Sequence, residues 1–204
     1  APAPVVVASP APASVRAIGA DFQAMRDQLK AGVQVVSTPQ LFPTPPDLAA
    51  RMVEIAGIEC GHSVLEPSAG TGRLLRAIRE ATAGGAVRTA IEICTSLCER
   101  LRVIESGAEI ISGDFLEFKA SAKFDRIVMN PPFQNAADVR HITHALTLLK
   151  PGGKLVAICA NGPRQNALLR PLTQARGGVW EELPADTFNA EGANVQTVLL
   201  TLTA

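Results

Sequence analysis

The stretch Ser63–Gly85, "SVLEPSAGTGRLLRAIREATAGG", decides how the rest of the chain is read. It opens with a short apolar run, "SVLEP", that predicts a buried strand. It continues into "GRLLRAIREATAGG", which predicts a helix stopped by glycines. Between them, Gly70 and Gly72 let the backbone turn sharply and approach a ligand closely, just before a helix N-terminus. A nicotinamide-binding turn wants a third glycine after two more residues, and Leu75 stands there. A Gly-x-Gly turn by itself also serves as a plain structural connection.

The same alternation extends in both directions. Downstream, "VRTAIEI", "AEIIS", "FDRIVM" and "KLVAICA" read as strands. "TSLCERLRVIESG" and "NAADVRHITHALTLLKPGG" read as helices, and a further helix is expected after Gly162. Upstream, "TPPDLAARMVEIAG" predicts a helix with Thr44 as N-cap, Pro45 at its first position, Asp47 in a capping-box position and Gly57 as its stop. Strands alternating with helices of this length imply parallel βαβ units. "VWEEL" and "VQTVLLTLT" lack a helix between them and predict an antiparallel pair at one sheet edge. The expected fold is α/β and Rossmann-like: a mostly parallel seven-stranded sheet with an antiparallel C-terminal edge hairpin and helices on both faces. Residues 1–20, rich in Pro and Ala, are expected to form a flexible arm, 21–37 a short helix and linker, and 38–204 the domain.

Composition narrows the function classes. The chain has 204 residues, 47% of them hydrophobic, which excludes wholesale disorder. No apolar run approaches the ~20 residues that span a bilayer, so no membrane role is expected. The start has no basic region followed by an unbroken apolar segment, which predicts an intracellular, cytoplasmic protein. Cys60, Cys94, Cys98 and Cys159 sit in apolar contexts without paired zinc spacing and read as structural thiols. Asp138, His141 and His144 share a helix face, but read as a packed or solvated face, and no metal is expected. Formal net charge is zero, which argues against bulk electrostatic binding of nucleic acid. Between Asp138 and Glu181, however, no acidic residue occurs, while Arg140, Lys150, Lys154, Arg164, Arg170 and Arg176 do. That run makes either a local positive field or ordinary charges scattered over several elements.

Ligands of parallel sheets gather at the carboxyl ends of the strands. Those ends carry Glu66, Glu92, Asp114 and Asn130, all polar. Glu92 suits a carboxylate accepting from two ribose hydroxyls. Asp114 suits an acceptor for an adenine amino group, with Phe115 near the base. In chain order these residues describe a nucleoside pocket. The fourth strand stops at "NPPF", Asn130, Pro131, Pro132 and Phe133, where two prolines stiffen the backbone beyond an amide side chain.

"EPSAGTG", "IEI", "SGDF" and "NPPF" resemble the ordered motifs of class I S-adenosylmethionine-dependent methyltransferases, and more narrowly those acting on the exocyclic amine of adenine in DNA. "QLFPTPPDLAARM" resembles the cofactor-carboxylate segment of the subgroup whose cofactor motifs precede the catalytic one. The resemblance implies that Thr44 and Pro45 meet the methionine carboxylate. Glu66, Pro67, Ser68, Ala69, Gly70 and Gly72 would surround the methionine portion. Glu92 and Ile93 would hold the ribose, and Asp114 and Phe115 the adenine. It implies that the Asn130 side-chain oxygen and the Pro131 carbonyl accept the amine hydrogens, with Phe133 stacked on a flipped-out base. The acid-free stretch supplies candidate phosphate contacts Arg140, Arg164 and Arg170, and the last hairpin supplies Asn194 and Phe188 as candidate base contacts. The expected partner is nucleic acid, most readily DNA, with low site specificity or specificity supplied by a partner protein or fused domain. The same chemistry would serve an RNA amine or a protein glutamine amide, and a non-catalytic subunit would keep the same fold.

Overall fold

The computed structural model describes residues 42–192 and 195–204. The expected arm and first helix, and Asn194, lie outside the described residues. Among the described residues, helix α1 (Pro46–Ala56) is followed by β1 (Ser63–Pro67), α2 (Arg73–Ala81), β2 (Val87–Glu92), α3 (Thr95–Ile104), β3 (Ala108–Ser112) and β4 (Phe124–Met129). Then come α4 (Ala137–Thr147), β5 (Leu149–Ala160), α5 (Pro163–Ala175), β6 (Trp180–Glu182) and β7 (Thr197–Thr203). The seven strands form one sheet in the order β3-β2-β1-β4-β5-β7-β6. β7 alone runs against its neighbours, antiparallel to both β5 and β6, as the missing helix before it predicts.

Period-two alternation sorts the core onto two faces. Ile127 and Met129 of β4, with Leu155, Ala157 and Cys159 of β5, pack with Ile142 and Ala145 of α4 and Leu169 of α5. The intervening Val128, Val156 and Ile158 face Leu48, Met52 and Val53 of α1 and Leu74 and Ile78 of α2. A third cluster, Leu75, Ala90, Cys98, Leu101 and Ile110, seats α3.

Two local expectations are corrected. Pro45, not Thr44, is the N-cap of α1, with no side-chain cap bond, because the Thr44 hydroxyl accepts from Asn130 instead. The Pro-Gly-Gly segment does not close α4, which ends at Thr147. Leu149 already pairs with Phe124, so the segment is a distortion within β5, with Gly152 at φ 74°. The helix face of His141, His144 and Asp138 is packed, one of the two readings the sequence allowed, and Asp138 lies deepest. It is fully buried and accepts from Ala160 N–H (3.0 Å), Val139 N–H and the Gln165 amide, tying α4, β5 and α5 together. Burial raises its pKa, and these donors partly offset that. Cys60 is exposed, unlike the buried Cys98 and Cys159. Among the described residues no helix is long and apolar enough to cross a membrane.

Candidate active site

The strand order reverses at β1, whose neighbours β2 and β4 lead to opposite sides of the sheet, and this is where a parallel sheet opens a crevice. A crevice of about 260 Å³ lies there. Glu66 from β1, Glu92 from the end of β2, Asp114 beyond β3 and Asn130 beyond β4 all line it. The four polar strand ends picked from the sequence are thus brought together.

The Gly-rich loop is wired to the second strand. Ala69 N–H donates to Ile91 O at 3.0 Å and Gly70 N–H to Glu92 Oε2 at 2.7 Å. Glu92 Oε1 accepts from Cys94 N–H at 2.8 Å. Each carboxylate oxygen is used once and retains a second lone pair. Ser68 holds φ at 59°, an unusual strain for a non-glycine residue, beside the ligand crevice. Its hydroxyl is 3.3 Å from Nδ1 of His141. His141 is buried, and burial pulls its pKa down to about 4, so the ring is neutral at physiological pH. The buried Phe115 ring packs between His141 and His144, with centroids 5.3 and 4.8 Å away. Asp114 caps the short turn Phe115–Glu117 through Leu116 N–H, 2.9 Å from its Oδ1.

On the crevice floor, Glu66 is 2% exposed. Burial pushes its carboxyl well above the usual range, against the pull of a hydrogen bond from Leu75 N–H, and Oε2 has no partner among the described residues. A buried polar atom left this way is costly unless a ligand meets it.

Across from it, Asn130 is fixed from behind. Its Nδ2 donates to Phe42 O at 2.9 Å and to Thr44 Oγ1 at 3.2 Å, so both amide hydrogens are engaged and the carbonyl oxygen remains. Pro131, Pro132 and Phe133 line the same crevice, and the Phe133 ring stacks near Phe42 at 6.5 Å.

Thr44, Ser68, Ala69, Gly70, Ile93, Phe115 and, at the rim, Arg140 also line it. Pro45, Pro67 and Gly72 do not. Gly72 backs onto α3 instead, where a Cβ would stand 2.6 Å from Leu101 Cδ2. Arg164 and Arg170 are exposed on α5 and outside the lining. Phe188 is fully buried in the core against α1, which withdraws it as a base contact. The positive run does not gather. Lys150 pairs with Asp125, Lys154 donates to Ile55 O and Arg176 to Thr203 O, all at the opposite end of the sheet.

Among the lining residues that the sequence did not assign to the site, two carry titratable side chains, His141 and Arg73. His141 was weighed only with its helix neighbours. Arg73 is the first residue of α2 and donates to Thr44 O (3.1 Å) and Glu191. A cation at a helix N-terminus opposes the helix dipole, and that mismatch was the available signal.

Comparison with known proteins agrees with this geometry. Residues 52–176 match the methyltransferase small domain family. The chain is 37% identical over 90 residues to the type II methyltransferase M.TthHB8I of Thermus thermophilus, covering 44% of this chain but only 20% of that protein. A Listeria monocytogenes protein assigned to the class I S-adenosylmethionine-dependent methyltransferases superposes with a TM-score of 0.63 at 18% identity, over 91% of this chain and 66% of that one. An assigned RNA methyltransferase of Pyrococcus horikoshii superposes with a TM-score of 0.60, also at 18% identity, over 85% and 91% of the two chains.

Proposed function

Because this chain belongs to the methyltransferase small domain family, we propose that it moves a methyl group from S-adenosylmethionine to the exocyclic amino group of adenine in DNA. The cofactor itself follows from the family and fold, and the crevice suits it. Glu66 offers a buried carboxyl oxygen with no partner among the described residues, and Glu92 keeps lone pairs for a diol. Asp114, Ile93 and Phe115 flank the place of a base. When bound, the cofactor supplies an electrophilic methyl on a sulfonium.

The observation that carries the acceptor assignment is the tethered amide of Asn130. An exocyclic amine on an aromatic ring is a poor nucleophile because its lone pair is delocalised. With Nδ2 held by Phe42 and Thr44, the Asn130 oxygen is left as a fixed acceptor for one amine hydrogen. The Pro131 carbonyl takes the other. Two acceptors set in advance favour a pyramidal nitrogen with its lone pair directed at the methyl, without reordering during the reaction. Phe133 stacks on the acceptor ring, and a duplex base reaches it only by flipping out. The matched segment is a fifth of the length of the curated relative, and target reading is assigned to a partner subunit or a fused domain.

Tritiated methyl transfer to single- and double-stranded DNA, structured RNA and a glutamine-bearing protein, run side by side, tests this reading. Labelling of adenine in DNA is expected. Labelling confined to RNA or to the protein would move the same chemistry to that acceptor. Calorimetry with S-adenosylmethionine showing no heat would make the chain a non-catalytic subunit.

A further inference from the structure

The expected basic footprint is dispersed, yet the molecule has a concentrated positive surface elsewhere. A second groove runs between α2 and α3, lined by Arg73, Arg76 and Arg79 of α2 and Arg100 of α3, against the single carboxylate of Glu105. We propose that this groove binds the phosphodiester backbone of the nucleic-acid acceptor, an inference that rests on the acceptor class proposed above.

The charge available in the groove comes mainly from Arg76, Arg79 and Arg100, since Arg73 is already paired with Glu191. Glu105 is already shared between the buried Arg88 and Arg79, the latter at 3.4 Å. Arg76 contacts Glu80 only through an exposed pair one helical turn away, an interaction easily exchanged for a phosphate. Arg100 has no ion-pair partner among the described residues. The guanidinium fork suits two phosphate oxygens at once, and several such forks along one groove suit a polyanion better than a lone anion.

Position supports the same ligand. Thr71 and Arg73 line both this groove and the crevice, so the two are continuous around the Gly-rich loop. A strand whose base enters the crevice past Asn130 therefore has a path onto the arginines. This also reconciles a net charge of zero with a polyanionic substrate, since attraction is local.

The test uses Arg76→Gln/Arg100→Gln, two exposed positions outside the crevice, with thermal unfolding as a folding control. For the wild type, affinity for mixed-sequence DNA should fall steeply with salt. In the double variant the log–log slope should fall by about 2, at roughly 0.9 per lost phosphate contact, with affinity at least about tenfold weaker at low salt. KM for DNA should rise while kcat and S-adenosylmethionine affinity hold, and Arg→Lys at both sites should restore much of the slope. If the wild type methylates DNA but the variant keeps its slope and KM, the groove inference is overturned while the function stands. If the wild type neither binds nor methylates any nucleic acid, the function assignment fails and takes this inference with it.

Discussion

Arg73 and Glu191, 118 positions apart, close a salt bridge that fastens the turn Asn189–Glu191 to the start of α2 at the edge of the crevice. The same guanidinium holds Thr44 O, so one side chain joins three segments. Glu191→Gln should loosen the 184–192 turn and little else. Amide exchange there should accelerate about tenfold, for the loss of one charge-assisted bond of ~1–2 kcal/mol, while exchange in β4 and β5 stays slow. Uniform acceleration throughout the sheet would show instead that the bridge supports the whole fold.

Asn130→Ala should lower methyl transfer by at least about 10²-fold, as loss of an oriented transition-state acceptor does, with S-adenosylmethionine affinity nearly unchanged. Thr44→Val should be milder. It keeps Phe42 O as one anchor and removes only the 3.2 Å acceptor, so kcat should drop roughly five- to tenfold. Equal loss of turnover and cofactor binding in Asn130→Ala would mean that its role is misassigned.

Gly72→Ala should destabilise the protein by roughly 1–3 kcal/mol, because φ is 80° and the new methyl meets buried Leu101. Adding Leu101→Ala should recover part of the clash but not the backbone strain. Urea unfolding of the four-member mutant cycle measures that coupling, and strict additivity would place the cost in the backbone alone.

His141 confers a pH dependence whose sign is fixed by burial. Its folded pKa, about 4, lies below the ordinary 6.5, so the unfolded chain binds more protons between those values. Stability from the neutral ring is therefore present above pH 6.5 and lost as pH falls toward 4, with a slope approaching about 1.4 kcal/mol per pH unit. Glu66, shifted upward, works in the opposite sense, favouring the fold at low pH. The difference between wild type and His141→Gln isolates the histidine. In thermal unfolding the wild type should lose stability relative to the variant as pH drops from 6.5 to 4, and parallel curves would refute the shift.

Much of the architecture was legible because it rests on local rules. Gly57 does stop α1, in the left-handed conformation that glycine permits, and the missing helix before "VQTVLLTLT" does mark the antiparallel strand. The polar strand ends met in one crevice because the topology, not the side chains, dictates where such ends gather. What the sequence hid are choices made between distant segments. Thr44 looked like a cap because capping is a neighbourly interaction, whereas its actual partner is 86 positions away. Phe188 looked like a ring for a base, but a loop aromatic carries no mark of facing inward. Basic residues spread over α4, β5 and α5 look like one patch in a line of text. Folding divides them between the two ends of the sheet, while Arg76 and Arg100, unremarkable apart, come together.

The two anchors of Asn130 come from Phe42 and Thr44, peripheral to the sheet that carries the amide. The strands can therefore assemble, and report full secondary structure, before that outlying segment docks. Until it does, the carboxamide is free to turn and present its nitrogen in place of its oxygen. On the role proposed for Asn130, catalytic competence should then be gained last on refolding and lost first in mild denaturant, at concentrations where circular dichroism still registers an intact molecule.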